Sequence, residues 1–342
     1  MALKDAKSIL VTGGTGSFGK AFVSRILRNY SNIERLVIFS RDELKQWEMQ
    51  NAYPDEKYPQ LRFFLGDIRD KERLRRALKN IDIIVHAAAL KQVPAAEYNP
   101  SEFIKTNVLG ADNLVDCALD CGVRKIVALS TDKAVSPVNL YGATKLCSDK
   151  LFISANNITG TQDSKFSVVR YGNVMGSRGS IIPLLISKAK KNEPFTITHK
   201  DMTRFNITLD EGVSLVISTI EEMIGGEIFV PKIPSYRIMD LANAISPNAE
   251  VDFIGMRVGE KIHEEMLSIN DAPNTIDLGD KYAILPAGGD LQKSYKSFNI
   301  SFKNIDPHFC FNSGTNENFL EIEEIQDLIV KNVDRTFRVR NI

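Results

Sequence analysis

A tyrosine and a lysine four positions apart, Tyr141 and Lys145, form the pattern with the clearest chemical potential. Residues at this spacing share one face of a helix, so the lysine ammonium can favour the ionised phenol. Such a phenolate takes the proton of a hydroxyl while the hydride of the same carbon passes to a nicotinamide. A surface pair without a catalytic role is the alternative. The Thr131 hydroxyl, which precedes the pair along the chain, favours catalysis.

Asp132 and Lys133 directly follow Thr131, at the end of a strand predicted over residues 125–130. Open α/β sheets bind their ligands at the carboxyl ends of their strands, so both side chains are predicted to lie in a ligand site. An acid beside a base is suited to moving protons on a substrate. A salt bridge on a loop is the alternative interpretation.

A glycine-rich turn follows the first predicted strand, with Gly13, Gly16 and Gly19 spaced Gly-x-x-Gly-x-x-Gly. A tight turn, a close approach to a pyrophosphate and close packing of helix on strand all require a missing Cβ. The amides at the start of the next helix can bind the phosphates. The turn therefore predicts a dinucleotide site, and a glycine turn without a ligand is the alternative.

The end of the second predicted strand, Ser40-Arg41, indicates which dinucleotide binds. An NAD enzyme places a carboxylate here on the ribose hydroxyl, whereas a guanidinium suits a 2′-phosphate, so NADP is the expected cofactor. A solvated Arg41 paired with Asp42 or Glu43 is the alternative. Asp67, after the third strand, is predicted to accept from the adenine amine or else to cap the next helix. The other cofactor candidates are Thr15, Ser17, Phe18, Lys45, Ile68, Ala87, Ala88, Ala89 and Val174.

Short β-branched runs alternate with amphipathic stretches through the first half of the chain. This alternation predicts an α/β fold, a doubly wound parallel sheet of the Rossmann type, with a smaller C-terminal α/β substrate lobe. We expect a dinucleotide-binding domain over residues 1–180 and the lobe with its tail over 181–342, with some chain crossing between them. The predicted strands cover residues 8–12, 35–40, 61–65, 81–86, 125–130 and 164–170, and the predicted helices 17–30, 42–52, 70–79, 101–121 and 141–156.

The composition excludes several classes of protein. Lysine plus arginine number 43 and aspartate plus glutamate also 43, so no overall field attracts nucleic acid or an anionic membrane. The four cysteines and the histidines lack a metal-ligand spacing, so we expect free thiols and no metal. No leader peptide and no apolar run long enough to span a membrane is recognisable, and we expect a cytoplasmic protein.

Several motifs together resemble one enzyme family. Gly13 to Gly19, Ala87 to Ala89, Thr131, Tyr141 and Lys145 are similar to the extended short-chain dehydrogenase/reductases that act as nucleotide-sugar epimerases and dehydratases. A narrower resemblance, to the inverting UDP-N-acetylglucosamine 4,6-dehydratases that begin pseudaminic acid synthesis, runs from about residue 8 to about residue 266. Its motifs are Phe39-Ser40-Arg41-Asp42-Glu43, His86-Ala87-Ala88-Ala89-Leu90-Lys91, Ser130-Thr131-Asp132-Lys133, Arg170-Tyr171-Gly172-Asn173-Val174, Met202-Thr203-Arg204-Phe205 and residues 257–263.

The resemblance implies roles for individual residues. Tyr141 would handle the C4 hydroxyl, Lys133 would remove the C5 proton and Asp132 would protonate the departing C6 hydroxyl. The substrate would be UDP-N-acetylglucosamine and the protein a homo-oligomer, with a hexamer as one form. The residues expected to bind the substrate are Lys91, Asn173, Arg178, Arg204 and Arg257. For each arginine, a solvated or structural ion pair is the alternative.

Lys133 can act as the base only under one physical condition. A lysine base must be neutral, which requires its pKa to fall by roughly 3 units from about 10.4. Inversion also requires a proton on the other face of C5, from Lys133 or from another donor, and the sequence leaves this open. The competing functions are a C4 or C5 epimerase, a retaining dehydratase, or an NADP-sensing protein without turnover.

Overall fold

The computed structural model describes residues 1–177, 179–288 and 290–339. In chain order its strands are β1 (Ser8–Thr12), β2 (Arg35–Ser40), β3 (Leu61–Leu65), β4 (Ile83–His86), β5 (Lys125–Thr131), β6 (Lys165–Tyr171), β7 (Asn173–Val174), β8 (Phe195–Ile197), β9 (Thr203–Ile207), β10 (Ile228–Pro231), β11 (Ser235–Arg237), β12 (Val251–Phe253), β13 (Glu265–Leu267), β14 (Thr275–Asp277), β15 (Lys281–Ile284), β16 (Lys303–Asn304) and β17 (Phe311–Asn312).

The α-helices cover the faces of the sheet and build the second lobe. They are α1 (Ser17–Asn29), α2 (Glu43–Ala52), α3 (Lys71–Ala77), α4 (Val93–Tyr98), α5 (Pro100–Phe103), α6 (Gly110–Asp120), α7 (Leu140–Ser154), α8 (Ile181–Lys191), α9 (Leu209–Glu222), α10 (Ile238–Ile245), α11 (Asp290–Ser297) and α12 (Ile322–Asn332).

The main sheet runs β16-β14-β15-β10-β6-β5-β4-β1-β2-β3. The strands from β10 to β3 in this order are parallel, and β15, β14 and β16 add an antiparallel edge. The order of strands reverses between β1 and β4, which creates the crevice where doubly wound sheets bind ligands. The predicted α/β class with a doubly wound parallel sheet is confirmed.

Two apolar clusters divide the core. The larger one packs helices against both faces of the main sheet; α1, for example, buries Phe22, Val23 and Ile26 on one face. The smaller one joins α8, α10 and α12 in the second lobe, through residues such as Leu185, Leu241 and Ile329. The main sheet also contains four strands that come after residue 181, namely β10, β14, β15 and β16. Both parts of the chain therefore contribute to the same sheet. The division at residue 180 stays a prediction.

The helix predicted over residues 101–121 differs most from the structure. The chain forms α5, then a π-helical turn over Ile104–Leu109, then α6. Asn107, on the wide turn, is buried: its Nδ2 donates to Leu90 O at 2.8 Å and its Oδ1 accepts from Leu90 N at 2.9 Å. The turn thus ties the helix to the loop after β4, a local irregularity that apolar periodicity does not reveal.

The C-terminal stretch 286–316, whose sequence is polar and weakly patterned, contains α11 and the short strands β16 and β17. Tyr295 of α11 is buried beneath the main sheet's antiparallel edge. Within the described ranges, no helix is long and apolar enough to cross a membrane. The same ranges contain no group of three or more histidine, cysteine or acidic residues placed to hold a metal ion.

Candidate active site

The glycine turn lies at the crevice between β1 and β4. Gly13 has φ +65°, and a Cβ there would lie 2.9 Å from the Ala87 backbone. A Cβ on Gly19 would lie 2.4 Å from Gly14 O, so α1 packs closely on the turn. Gly16 precedes α1 without a side-chain cap, which leaves the first amides of the helix available to an anion. These observations fit the pyrophosphate of a dinucleotide.

Thr12 fastens the neighbouring loop to the turn. Its Oγ1 accepts from the amides of Ala87 and Ala88, each at 3.2 Å, and lies 2.8 Å from His86 Nδ1. His86 is buried at the end of β4, and burial together with the charge of Lys145 lowers its pKa to about 3. His86 is therefore a neutral core residue.

Arg41 is exposed at the expected adenosine end, with Nη1 3.4 Å from Asp67 Oδ2. Partial burial alone would raise the pKa of Asp67, but hydrogen bonds from Arg69 and the Arg41 charge lower it. The predicted alternative that Asp67 caps the next helix is wrong, because Asp70 is the cap and accepts from Arg73 N at 2.9 Å. Contact of Asp67 with adenine stays a prediction.

Three further cofactor candidates, Ser40, Lys45 and Ile68, lie at or just after the ends of β2 and β3. Ser40 is buried and its Oγ accepts from Gln46 Nε2 at 3.0 Å. The ammonium of Lys45 is bound to Asp42, the cap of α2. Ile68 is buried against Gly110, at the start of α6. Their contacts with a cofactor stay predictions.

The turn between β5 and α7 brings the catalytic candidates together. Asp132 and Lys133 form a 3₁₀ turn after β5, and Asn139 caps α7 by accepting from Gly142 N at 2.8 Å. A Cβ on Gly142 would lie 2.1 Å from Lys133 O, so only glycine allows α7 to start this close. Tyr141 thereby reaches Thr131, with which it shares a side-chain hydrogen bond.

The Tyr141 phenol is buried, and burial raises its pKa to about 12, although the charge of Lys133 and the Thr131 hydrogen bond lower it. Lys145 lies one turn further along α7, and its Nζ donates to Leu129 O at 2.8 Å. Burial lowers the Lys145 pKa, against the charge of Asp149. Within the protein, the Lys133 charge is one that favours the phenolate, and the role predicted for Lys145 stays a prediction.

Lys133 lies between two carboxylates. Its Nζ is 3.0 Å from Asp132 Oδ1, 3.2 Å from Glu264 Oε1 and 3.4 Å from Asn173 Oδ1. Burial alone would lower the pKa of Lys133, but the Asp132 and Glu264 charges raise it well above its usual range. The condition derived from the sequence, a lowered pKa, is not met: these surroundings stabilise the ammonium.

The surroundings of Asp132 disfavour its charged form, whereas those of Lys133 favour the ammonium. Asp132 is fully buried, and burial raises the pKa of its carboxyl group, aided by the Glu264 charge and opposed by Lys133. Oδ2 has no hydrogen-bond partner among the described residues. A carboxyl group that resists ionisation and has a free oxygen can donate a proton to a substrate.

The predicted substrate residues are only partly brought together. Asn173 shares a side-chain hydrogen bond with Tyr236 as well as its contact with Lys133. Lys91 is an exposed residue overall. Partial burial of its ammonium group and the nearby Lys133 charge lower its pKa. Arg257 is exposed on a loop, with Nη1 3.8 Å from Glu260 Oε1.

The other two substrate candidates are Arg204 and Arg178. Arg204 is buried in β9, where Nη1 donates to the carbonyl groups of Thr203 (2.7 Å) and Ile262 (3.0 Å), an arrangement that favours the structural alternative. Arg178 lies outside the described residues. A direct contact of either with a diphosphate stays a prediction.

Sequence reasoning missed Glu264, Asn107, Tyr236 and Gly142. Glu264 comes immediately after the 257–263 motif, so its neighbourhood was recognised and its contact with Lys133 was not. Gly142, directly after Tyr141, could have been noticed as a glycine inside a helix, which usually has a packing reason. Tyr236 and Asn107 gave no local signal.

A parallel sheet of this order, with a glycine turn at its switch point and a tyrosine and lysine on the helix after β5, defines an extended short-chain dehydrogenase/reductase. Comparison with known proteins narrows the class. The chain belongs to the polysaccharide biosynthesis protein family, whose profile matches residues 9–286.

Relatives of this chain carry two functional names. A UDP-N-acetylglucosamine 4,6-dehydratase (inverting) from Campylobacter jejuni is 49% identical over 95% of this chain and 98% of its own length. A UDP-glucose 4-epimerase from Rickettsia canadensis is 40% identical over 95% of each chain. The family resemblance predicted from the motifs is confirmed.

Solved structures agree with the fold. Pen from Bacillus thuringiensis superposes with a TM-score of 0.86 at 35% identity and covers 97% of this chain and 99% of its own. DesIV, a dTDP-glucose 4,6-dehydratase from Streptomyces venezuelae, superposes with a TM-score of 0.65 at 24% identity over 75% of this chain and 86% of its own. At that identity, DesIV supports the fold alone.

Proposed function

We propose that this protein is an inverting UDP-N-acetylglucosamine 4,6-dehydratase that forms UDP-2-acetamido-2,6-dideoxy-β-L-arabino-hex-4-ulose. The observation that carries the proposal is the cluster of Asp132, Lys133 and Tyr141 at the end of β5, in a chain 49% identical to a dehydratase of that name. The product is expected to serve in pseudaminic acid synthesis, with the reaction taking place in the cytoplasm.

The proposed reaction assigns one proton transfer to each side chain. Tyr141 takes the proton of the C4 hydroxyl, and the C4 ketone that results acidifies the C5 hydrogen. Lys133, as the neutral amine, takes the C5 proton, while Asp132 gives its proton to the C6 hydroxyl, which leaves as water. A dinucleotide held at the turn of Gly13, Gly16 and Gly19 would supply the redox chemistry, hydride removal from C4 and hydride return to C6.

The pKa directions constrain this scheme. With one proton the pair has two forms, ionised Asp132 with protonated Lys133 and protonated Asp132 with neutral Lys133, and the reaction needs the second form. The raised pKa of Asp132 increases the reactive fraction and the raised pKa of Lys133 decreases it. The ammonium can also return a proton to C5 after elimination.

NADP is the proposed cofactor. The support is the exposed Arg41 at the end of β2, which follows Ser40 where an NAD enzyme would place a carboxylate; a 2′-phosphate would compete with Asp67 Oδ2, 3.4 Å away, for its guanidinium. The solved structure of DesIV, by contrast, contains NAD. Arg41→Ala should weaken NADP binding by about 1.5 to 3 kcal/mol and leave NAD binding nearly unchanged. Arg28→Ala, at the far end of α1, is the control in a calorimetric titration, and equal losses for both dinucleotides would contradict the assignment.

The UDP-sugar is proposed to lie over the cluster, with Lys91 and Asn173 near the sugar. Arg178, Arg204 and Arg257 are the candidates for the diphosphate and uracil, and the contacts of Arg204 make it the weakest of the three. A homo-oligomer is also proposed. The apolar side chains of Phe253, Ile254, Met256 and Val258 are exposed together and would be covered by a second copy, which sedimentation of the purified protein tests.

A C4 epimerase is the second candidate, because the Rickettsia relatives bear that name. Mass spectrometry separates the two functions: dehydration removes one water from the UDP-sugar, whereas epimerisation conserves mass. Purified protein incubated with UDP-N-acetylglucosamine, without added cofactor, should give the dehydrated product. A substrate converted only to an isomer of equal mass would favour the epimerase.

A further inference from the structure

Glu264 lies at the centre of the charged cluster but has no role in the scheme above. Its Oε1 is 3.2 Å from Lys133 Nζ and 3.9 Å from Arg204 Nε, and the residue is 3% exposed. Its Oε2 is buried with no hydrogen-bond partner among the described residues. A carboxylate in these surroundings costs desolvation energy, which these cations must offset.

The backbone holds this carboxylate rigidly. Glu264 N donates to Ser313 Oγ at 2.9 Å, and Ser313 N donates to Glu264 O at 2.8 Å. Ser313 Oγ also lies 2.7 Å from Thr203 Oγ1 on β9. The second lobe thus presents a fixed negative charge to Lys133 of the dinucleotide-binding part.

Arg204 is the second cation beside Glu264, after Lys133. Because its Nη1 is bound to two backbone carbonyl groups, the guanidinium stays beside Glu264 and is not free to follow a ligand. Burial would raise the pKa of Glu264, but Lys133 and Arg204 lower it, so Glu264 is ionised. Lys133 is therefore shared by one carboxylate that stays ionised and one that resists ionisation.

We propose that Glu264 is a positioning residue of the dehydratase: its buried charge holds the Lys133 amine against Asp132 and sets the pH range in which the pair exchanges protons. The inference rests on the roles proposed for Asp132 and Lys133. Glu264 itself touches neither substrate nor cofactor in this account and acts only through its two neighbours.

The direction of the effect follows from electrostatics. A negative charge beside the pair disfavours loss of a proton from either member, so Glu264 raises the pKa of both Asp132 and Lys133. In a reaction that needs a single proton on the pair, the lower pKa of the pair sets the acid limb of kcat/KM and the higher pKa sets the alkaline limb, so Glu264 moves both limbs to higher pH. The other charged or titratable groups facing this pair are Arg204, Lys261, Lys91, Tyr141 and Tyr236.

Glu264→Gln tests the proposal, because the amide keeps the size of the side chain and an acceptor for Lys133 but removes the charge. We expect the acid limb of kcat/KM for UDP-N-acetylglucosamine to move to lower pH by about one unit or more. The alkaline limb should move in the same direction. Glu264→Asp keeps the charge one methylene further back, so its shift should be smaller and of the same sign.

Glu227→Gln is the matched control. Glu227 is a buried carboxylate just before β10, at the opposite end of the sheet, where it accepts from Ser167 Oγ at 2.6 Å and from Ile224 N at 2.7 Å. This variant should lose thermal stability and keep the wild-type pH profile. A purely structural role for Glu264 would give the same pattern.

The outcomes distinguish a failure of the role proposed for Glu264 from a failure of the function proposed for Asp132 and Lys133. A folded Glu264→Gln protein with a wild-type profile would overturn the role of Glu264, even if Lys133→Ala is inactive. If Glu264→Gln does not fold, an unshifted profile for Glu264→Asp would overturn it equally. Dehydration at the normal rate by Lys133→Ala or Asp132→Asn would instead overturn the proposed function of the pair.

Discussion

At the scale of single residues, Lys133 contacts one carboxylate next to it in sequence, Asp132, and one distant in sequence, Glu264. Tyr141, Thr131, Asp132 and Lys133 do meet at the end of β5, as their positions after a strand and on a helix predict. The protonation preference of Lys133 could not be predicted, because it depends on Glu264, which is distant in sequence and arrives from the second lobe. Long-range ion pairs leave no periodic signal.

His86 gives a prediction of pH-dependent stability. Its pKa is about 3 in the folded protein and about 6.5 in the unfolded chain, so only the unfolded chain gains the proton as the pH falls through that interval. Stability from the neutral ring is complete above about pH 6.5 and is lost below it. Between about pH 7.5 and about pH 4.5 the loss should be about 2.5 kcal/mol.

Denaturant unfolding at several pH values measures this term. His86→Gln should be less stable than wild type near neutral pH, because it disturbs the contact with Thr12, but should show a flatter pH dependence. His308→Gln, at an exposed position, should follow the wild-type curve. Parallel curves for wild type and His86→Gln would contradict a buried neutral histidine.

At the scale of elements, the alternation of strands and helices predicted the sheet because its period is strong and local. The strands β1, β2 and β3 have the predicted bounds; β5 ends one residue later than predicted, and β6 is shifted by one residue at each end. The π-helical turn at Ile104–Leu109 was not predictable, because one extra residue in a turn leaves the apolar pattern nearly unchanged. The helix α11 was missed, since residues 290–297 are mostly polar.

Two helical glycines test how closely α7 must approach the 3₁₀ turn. Gly142→Ala would place a Cβ 2.1 Å from Lys133 O, so the helix must shift. We expect the variant to lose about 1 to 3 kcal/mol of folding stability and most of its activity. Gly212→Ala in α9 meets no atom within 4 Å and should stabilise the protein by about 0.5 to 1 kcal/mol without changing activity.

Thermal unfolding and initial rates on both variants measure this difference. We expect Gly142→Ala to lower the stability and Gly212→Ala to raise it, although both substitutions add the same methyl group inside a helix. An active, stable Gly142→Ala protein would mean that the spacing between α7 and Lys133 is not needed for the reaction.

At the scale of the whole molecule, the active site is completed where two parts of the chain meet. The dinucleotide turn and Asp132, Lys133 and Tyr141 come from the first part, whereas Arg204, Tyr236 and Glu264 come from strands and loops after residue 181. The resemblance of motifs predicted the family from both parts. Only the three-dimensional arrangement reveals that the second part places Glu264 beside Lys133, and Arg204 beside Glu264.

The most direct test of the central claim is the proton NMR spectrum of the product formed from UDP-N-acetylglucosamine in deuterated water. The account predicts a 6-deoxy-4-keto sugar with inverted C5 that carries deuterium at C5. It also predicts that Lys133→Ala incorporates no deuterium there while it retains bound NADP. A product without deuterium at C5, or unchanged dehydration by Lys133→Ala, would contradict the proposed reaction at this site.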